Sequence, residues 1–306
     1  EVASNDGYLL KNFITAKIPC LGIEPTESTA NAAEKLGITT IKKFFGTDLA
    51  HRLLSEGSSA DLIIGNNVFA HVPDINDFAK GLEITLKPEG VITLEFPHLM
   101  KLVELAQFDT IYHEHFSYLS LLAVTKVFEK SGLRIFDIDE LSTHGGSVRI
   151  YACKIEAKHA ESNAVPAMIE MEKALGMDKI SFYQDIQSRA EKIKNNLIKF
   201  LIEMKDDGKS VSAYGAAAKG NTILNFAGIK PDLLPVVYDA AKAKQNKFMP
   251  GSHIPILDPK KLMKNRPDYI LILPWNIAAE VKKDLSDLAK KGTKFVTAVP
   301  KLEIFG

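Results

Sequence analysis

The sequence predicts an α/β protein built of two doubly wound units joined by a helical segment. Three observations carry this. Short apolar runs alternate with helical-period segments through residues 1–155, and the alternation resumes at 208–306. Between them, residues 156–207 are charged and helical in pattern, with Leu197, Ile198, Leu201 and Ile202 at helical spacing. Strands also run repeatedly into small, polar turns that open a helix, the pattern of a sheet with crossover helices.

The totals narrow the functional classes. A chain of 306 residues, 46% hydrophobic and 25% charged, fits two ordinary globular domains. Its 38 Lys and Arg balance 38 Asp and Glu, which argues against a nucleic-acid binder while leaving a local phosphate site open. The two cysteines, Cys20 and Cys153, lack metal-ligand spacing, so a reduced, cytoplasmic protein with no metal is expected. No apolar run reaches the length of a membrane span, and no membrane partner is expected. The chain opens on Glu1-Val2-Ala3, without Met and as if within a strand, so its natural N-terminus is expected upstream.

Taken in order, the first unit starts with a strand ending near Glu1, the turn Ala3-Ser4-Asn5-Asp6-Gly7 and a helix over 8–16. A second strand, Cys20-Leu21-Gly22-Ile23, ends in Glu24. An acid about twenty residues after the first turn is placed to accept hydrogen bonds from the ribose of an adenosine moiety. The turn lacks the G-x-G-x-x-G form that a pyrophosphate needs, and an ordinary strand-to-helix turn is the other reading. A helix over 29–36, a strand over 38–41, the loop Phe44-Phe45-Gly46 and a helix over 48–56 follow. Residues 60–74 read as strand, polar turn at Asn66-Asn67 and short helix carrying His71, which either acts in the site or caps and packs that helix. A helix over 75–86 and a turn at Pro88-Glu89-Gly90 precede a strand over 91–97. After it comes Tyr112-His113-Glu114-His115-Phe116, a density of titratable groups that no helix or strand period explains. A helix over 123–131 capped by Gly132 leads to strands over 133–138 and 147–153, an antiparallel closing pair.

The second unit opens with a strand over 210–214 and the turn Gly215-Ala216-Ala217-Ala218-Lys219-Gly220-Asn221-Thr222 before a helix reaching 226. The spacing is not that of a P-loop. Backbone N–H groups at a helix start plus one lysine still suit a phosphate, the other reading being a tight packing turn. A strand over 234–239 ends in Asp239, echoing Glu24. A buried strand over 268–273 ends at Trp275-Asn276, and 294–300 is expected to be the last strand. The helical segment between the units is read as a connection and a candidate homodimer surface.

Two resemblances follow from these motifs. Glu1-x-Ala3-x-Asn5-x-Gly7 resembles the E-x-G-x-G-x-G turn of class I S-adenosylmethionine-dependent methyltransferases, with two glycines replaced. Asp61 to Asp74 resembles their fourth-strand stretch. The resemblance implies a Rossmann-like class I domain over 1–155, a helical linker over 156–207 and a smaller Rossmann-like domain over 208–306. It implies donor contacts from Ala3, Ser4, Asn5, Gly7, Glu24, Phe45, Asn66 and Asn67.

Tyr112–Tyr118 (YHEHFSY), His144-Gly145-Gly146-Ser147-Val148-Arg149 and Tyr214–Thr222 occur in this order. Together they resemble the sugar C-methyltransferases that act on nucleotide-linked deoxysugars. That family begins with a small zinc-binding domain, absent from these 306 residues. The resemblance implies a nucleotide-linked keto-sugar, contacted by His144, Arg149, Tyr214, Lys219, Gly220, Asn221 and Asp239. His115 is suited to remove a proton beside the ketone because imidazole titrates near neutrality. Tyr112 is suited to donate to the enolate oxygen and Glu114 to orient an imidazole or the sugar. Were the stretch helical, Tyr112 and His115 would share a face. Another small-molecule O- or N-methyltransferase, or a non-catalytic nucleotide-sugar binding module, are the alternatives. The degenerate glycine turn disfavours a nicotinamide oxidoreductase.

Overall fold

The computed structural model describes all residues, Glu1–Gly306, and divides them into two units. Unit one comprises Glu1–Met100 and Glu114–Phe182; unit two comprises Lys101–His113 and Tyr183–Gly306. The division differs from boundaries at 155 and 207, and side-chain burial explains why. Ala106 and Phe108 pack into the second unit's core, so residues 101–113 belong there. Val165 and Met168, from the expected linker, are buried in the first core, whereas Ala190, Ile193 and Leu197 are buried in the second.

In unit one the strands are β1 (Gly22–Ile23), β2 (Thr40–Ile41), β3 (Ala60–Asn66), β4 (Leu86–Pro97), β5 (Leu133–Leu141) and β6 (Ser147–Lys154). β1 pairs with β2, and β3 with β4, in parallel; β4–β6 and β6–β5 are antiparallel. Val2 joins the two groups. It bridges Ile23 in parallel, and its N–H donates to the Ile64 carbonyl at 2.9 Å. The sheet order is therefore β2, β1, residues 1–3, β3, β4, β6, β5. The expected turn at 88–90 is instead an irregularity within β4, between the pairs Ala60–Leu86 and Leu62–Val91.

The helices are α1 (Leu10–Thr15), α2 (Glu27–Lys35), α3 (Thr47–Ser55), α4 (Ile75–Thr85), α5 (Leu99–Glu104), which runs across the division, α6 (Leu121–Ser131) and α7 (Ala164–Ala174). Asp74 caps α4 by accepting from the Asn76 and Asp77 N–H groups, and Ser120 caps α6. Gly132 ends α6 in the left-handed conformation, as expected. Phe69, Phe78, Phe96 and Phe128 are fully buried in the core of this unit, with the Phe69 and Phe128 rings stacked at 5.9 Å.

In unit two the strands are β7 (Val211–Tyr214), β8 (Val237–Tyr238), β9 (Ile256–Leu257), β10 (Tyr269–Ile272), β11 (Lys294–Thr297) and β12 (Glu303–Phe305), in sheet order β9, β8, β7, β10, β11, β12. All pairs are parallel except β11–β12. Counted from β7 this is the order 3-2-1-4-5-6, with a reversal between β7 and β10. The sequence did not signal β9 or β12, so 294–297 is not the last strand. Strand alternation sends Val211, Ala213, Leu271 and Val296 to one core, which they share with α8 (Ile186–Asp206) and α9 (Ala218–Phe226). Ile270, Ile272 and Phe295 go to the other core, beside α10 (Leu262–Asn265), α11 (Ala278–Asp284) and α12 (Ser286–Ala289). Helices on both faces make the sheet doubly wound. No helix is long and apolar enough to cross a membrane.

Candidate active site

Open parallel sheets bind ligands beyond the carboxyl ends of the strands where the order reverses. In unit one that point lies between residues 1–3 and β3. All three glycine positions of the first turn hold positive φ: Ala3 at 56°, Asn5 at 52° and Gly7 at 79°. At Gly7 a Cβ would also stand 2.3 Å from Ile38 Cδ1, so crowding adds to the positive φ there. Ser4 is fully buried and its hydroxyl lies against Gly22, so only its backbone faces the turn. Glu24, 7% exposed, accepts from the Asn5 N–H at 3.1 Å and the Thr26 N–H at 2.9 Å. Two backbone donors aim this carboxylate at the strand end.

On the other side of the reversal, Asn66 closes β3 opposite Glu95. Asn67 follows at φ 54°, its N–H donating to the Glu95 carbonyl at 2.8 Å. Its Nδ2 lies 2.9 Å from His144 Nε2, while its Oδ1 is buried without a hydrogen-bond partner. Glu95 is 5% exposed and accepts from Arg149 Nη2 and Thr143 Oγ1, both at 2.8 Å. Asn67, Glu95, His144 and Arg149 thus form one group, in which Glu95 joins Asn67, expected at the donor, to Arg149, expected at the sugar. Phe45 packs edge-on to Phe78 at 5.4 Å.

Residues 111–116 follow an irregular path with a bend at 112 and a turn at 113–114, so the helical face that would pair Tyr112 with His115 does not exist. His115 is held otherwise. The Phe116 and Ser117 N–H groups both donate to the Ala70 carbonyl, at 2.9 and 3.2 Å. The His115 ring meets the edge of the His71 ring at 4.8 Å and the Tyr118 ring at 5.9 Å. The short turn Phe69–His71 is therefore the platform for this imidazole.

Further along, Leu119 bridges His98, and Glu172 of α7 grips the start of α6. Glu172 is fully buried. It accepts from Leu121 N–H and His98 Nε2 at 2.7 Å and from Leu122 N–H at 2.8 Å.

In unit two the reversal lies between β7 and β10. Gly215, at φ 90°, has no room for a Cβ, which would sit 2.4 Å from Pro274 Cδ. Asp239 accepts from the Ala216 and Ala241 N–H groups at 2.7 Å, with Lys244 Nζ at 3.6 Å. Lys219 Nζ donates to Asn276 Oδ1 at 2.7 Å and lies 4.8 Å above the Trp275 ring. Burial lowers the Lys219 pKa, and the charge of Asp109 opposes that shift. Gly220 packs against Leu273, and the Asn221 Oδ1 is buried without a partner. Tyr214 ends β7 half-buried, and burial with the nearby Asp239 and Asp284 charges raises its pKa.

A model for the C-methyltransferase C-terminal domain matches residues 142–300, and one for a methyltransferase domain matches residues 1–138. The C-methyltransferase NovU of Streptomyces niveus is 33% identical over 300 residues, covering 98% of this chain and 71% of that protein. The chain belongs to the C-methyltransferase family. Among solved structures, the PH0226 protein of Pyrococcus horikoshii OT3 matches 50% of this chain and 79% of its own, at 14% identity and a TM-score of 0.41. The magnesium protoporphyrin IX methyltransferase of Synechocystis PCC 6803 with bound SAH matches 50% and 72%, at 15% identity and a TM-score of 0.40.

The protein is thus an S-adenosylmethionine-dependent C-methyltransferase with a class I fold. The first switch point fits the donor. Its turn keeps positive φ at all three pattern positions, Glu24 is held by backbone donors alone, and the Asn67 Oδ1 is a buried acceptor awaiting a donor. Sequence reasoning missed Glu95, His98, Asp109 and Glu172. Only Asp109 carried a signal, its place beside the titratable stretch; the others read as isolated polar residues in a strand or helix.

Proposed function

We propose that this C-methyltransferase alkylates a carbon next to the ketone of a nucleotide-linked keto-deoxysugar. The observation that carries the reading is the second doubly wound sheet, whose strand reversal presents Lys219, Trp275 and Asn276 together. A lysine beside a helix start at such a point suits the diphosphate of a nucleotide sugar.

Bound S-adenosylmethionine supplies an electrophilic methyl group on a positively charged sulfur. The chain supplies the proton chemistry. His115 takes the proton of the carbon beside the ketone, and the C–H electron pair moves into the enolate. Tyr112 donates a hydrogen bond to the enolate oxygen. Glu114 orients the sugar or an imidazole. The enolate carbon is the nucleophile to which the donor would supply its methyl group, and Glu24, Asn67 and the turn from Ala3 to Gly7 would hold that donor. The ring of His71 against His115 restricts the rotation of the base.

The test is solvent exchange. In D2O the enzyme is expected to wash deuterium into the carbon beside the ketone of its sugar nucleotide, and His115→Gln to lower exchange and methyl transfer together by about 10²–10⁴-fold, the usual worth of general base catalysis. Methyl transfer without exchange in the wild type would point to an oxygen or nitrogen nucleophile and overturn the reading.

A further inference from the structure

The second unit holds a buried carboxylate that the chemistry above does not use. Asp109 is 1% exposed, three residues before Tyr112. Its Oδ2 accepts from Trp275 Nε1 at 2.7 Å, and its Oδ1 is buried with no hydrogen-bond partner. A carboxyl so placed is expensive to bury charged, and burial raises its pKa to about 6.

Asp109 stands on a stiff piece of chain. Phe108–Thr110 is one 3-10 turn, tied by Thr110 N–H and Oγ1 to the Gln107 carbonyl and by Ile111 N–H to the Phe108 carbonyl, at 2.8–3.0 Å. Phe108 is 7% exposed and sits 5.3 Å from the Phe226 ring of α9. Asp109 and Phe108 thus fix this turn to the second unit, and Tyr112 follows it two residues later.

The other end of the connection is the strand reversal. Trp275 is held by its edge through Asp109 and on its ring face by the Lys219 ammonium, which also donates to Asn276. Two residues from distant parts of the sequence, Asp109 and Lys219, thus lock one indole. We propose that Asp109 is a positioning residue that, through Trp275 and Lys219, fixes Tyr112 in register with the anion-binding turn of the second unit. The Tyr112 part rests on the role given to it above. The indole N–H donates to one carboxyl oxygen only, so an amide at this position preserves the bond. An anion drawn to the Lys219 ammonium weakens its hold on the Trp275 face, and the indole passes the change to Asp109 and its turn.

The test uses the full chain carrying 3-fluorotyrosine, with the Tyr112 fluorine resonance assigned by its loss in Tyr112→Phe. Without nucleotide, Asp109→Ala and Trp275→Phe are expected to shift or split that resonance by more than its linewidth. Asp109→Asn is expected to return it to the wild-type position. On adding uridine or thymidine diphosphate the wild-type resonance is expected to move, and Trp275→Phe to abolish the movement. A Tyr112 resonance unchanged in Asp109→Ala, in protein whose circular dichroism is native, overturns the inference. So does nucleotide binding by calorimetry that leaves the wild-type resonance still. If neither diphosphate binds by calorimetry, the nucleotide-sugar reading fails, while the comparison of Asp109→Ala with Asp109→Asn still decides the positioning role.

Discussion

Glu172→Gln perturbs the structure at one atom and tests how the segment carrying His115 is held. The carboxylate receives three donors in a fully buried place: Leu121 N–H, Leu122 N–H and His98 Nε2. An amide offers one oxygen. Placed where Oε1 lies, it keeps His98 and Leu121 N–H, and its NH2 then faces the Leu122 N–H, donor against donor. A buried donor left unmet costs about 1–3 kcal/mol, and each retained bond loses about 1 kcal/mol with the charge. The start of α6 also loses a favourable anion. Against this, a neutral amide no longer bears the cost of a buried charge. The expected loss is about 2–4 kcal/mol. Urea unfolding followed by far-UV circular dichroism should show an earlier midpoint at unchanged m-value. Because His98 also anchors Leu119, the chain between Ala70 and α6 loosens with it, and methyl transfer per folded molecule should fall. A loss below about 1 kcal/mol would refute the reasoning, since it would mean the three bonds add little beyond packing.

Further outcomes follow from single residues. The fold favours the protonated form of Asp109, raised from 3.8 to about 6 by burial, so its ionisation opposes folding. Wild-type stability should therefore fall relative to Asp109→Asn as pH climbs from about 4 to about 6, by about 3 kcal/mol in all, and the gap should stay level above that window; thermal melts across pH measure it. Ala3 sits at φ 56°, where an L-residue costs about 1–2 kcal/mol, so Ala3→Gly should raise stability by about 0.5–1 kcal/mol after the added unfolded-chain entropy, read as a shift in urea midpoint. Glu24→Gln should weaken S-adenosylmethionine by about 10-fold or more in calorimetry, the worth of a hydrogen bond to a charged group, and should lower stability by about 1–3 kcal/mol, since its NH2 then faces the Asn5 or Thr26 N–H.

What the sequence made legible was whatever depends on neighbours in the chain. The alternation of strands and helices, the Gly132 cap, the acids Glu24 and Asp239 at strand ends and the short turn of His71 are all local patterns, and the structure has them. β9 and β12, two and three residues long, leave no period to read. The bonds that shape the sites were also hidden, for a different reason. Glu172 meets its partners 50 to 74 residues away, and Asp109 meets Trp275 across 166. Nothing in the spacing of an acid in a helix or a tryptophan after a strand names its partner. Among the local inferences that failed, a helical face for Tyr112 and His115 did so because the chain bends at 112 and turns at 113–114 between them.

The two units solve the same local problem with the same wiring. In each, an acid at the end of the second strand accepts one N–H from the turn after the first strand and one from two residues beyond itself: Asn5 and Thr26 for Glu24, Ala216 and Ala241 for Asp239. The carboxylate satisfies turn donors that a parallel sheet leaves unpaired at its carboxyl edge. What differs is the charge around it. Glu24 takes backbone donors only, and its negative charge remains available to a cationic, ribose-bearing ligand. Asp239 has Lys244 beside it, and Lys219 stands at the same strand reversal. A sulfonium donor is favoured at the first reversal and disfavoured at the second, where two ammonium groups suit the proposed diphosphate. On the proposed function, one backbone plan serves two ligands of opposite charge, and the choice rests on a few side chains. Reversing Lys219 and Lys244 to Glu should abolish diphosphate binding and leave S-adenosylmethionine affinity unchanged, because neither lysine belongs to the unit that carries the first reversal. Equal loss of both ligands in calorimetry would show that the two preferences are not set locally.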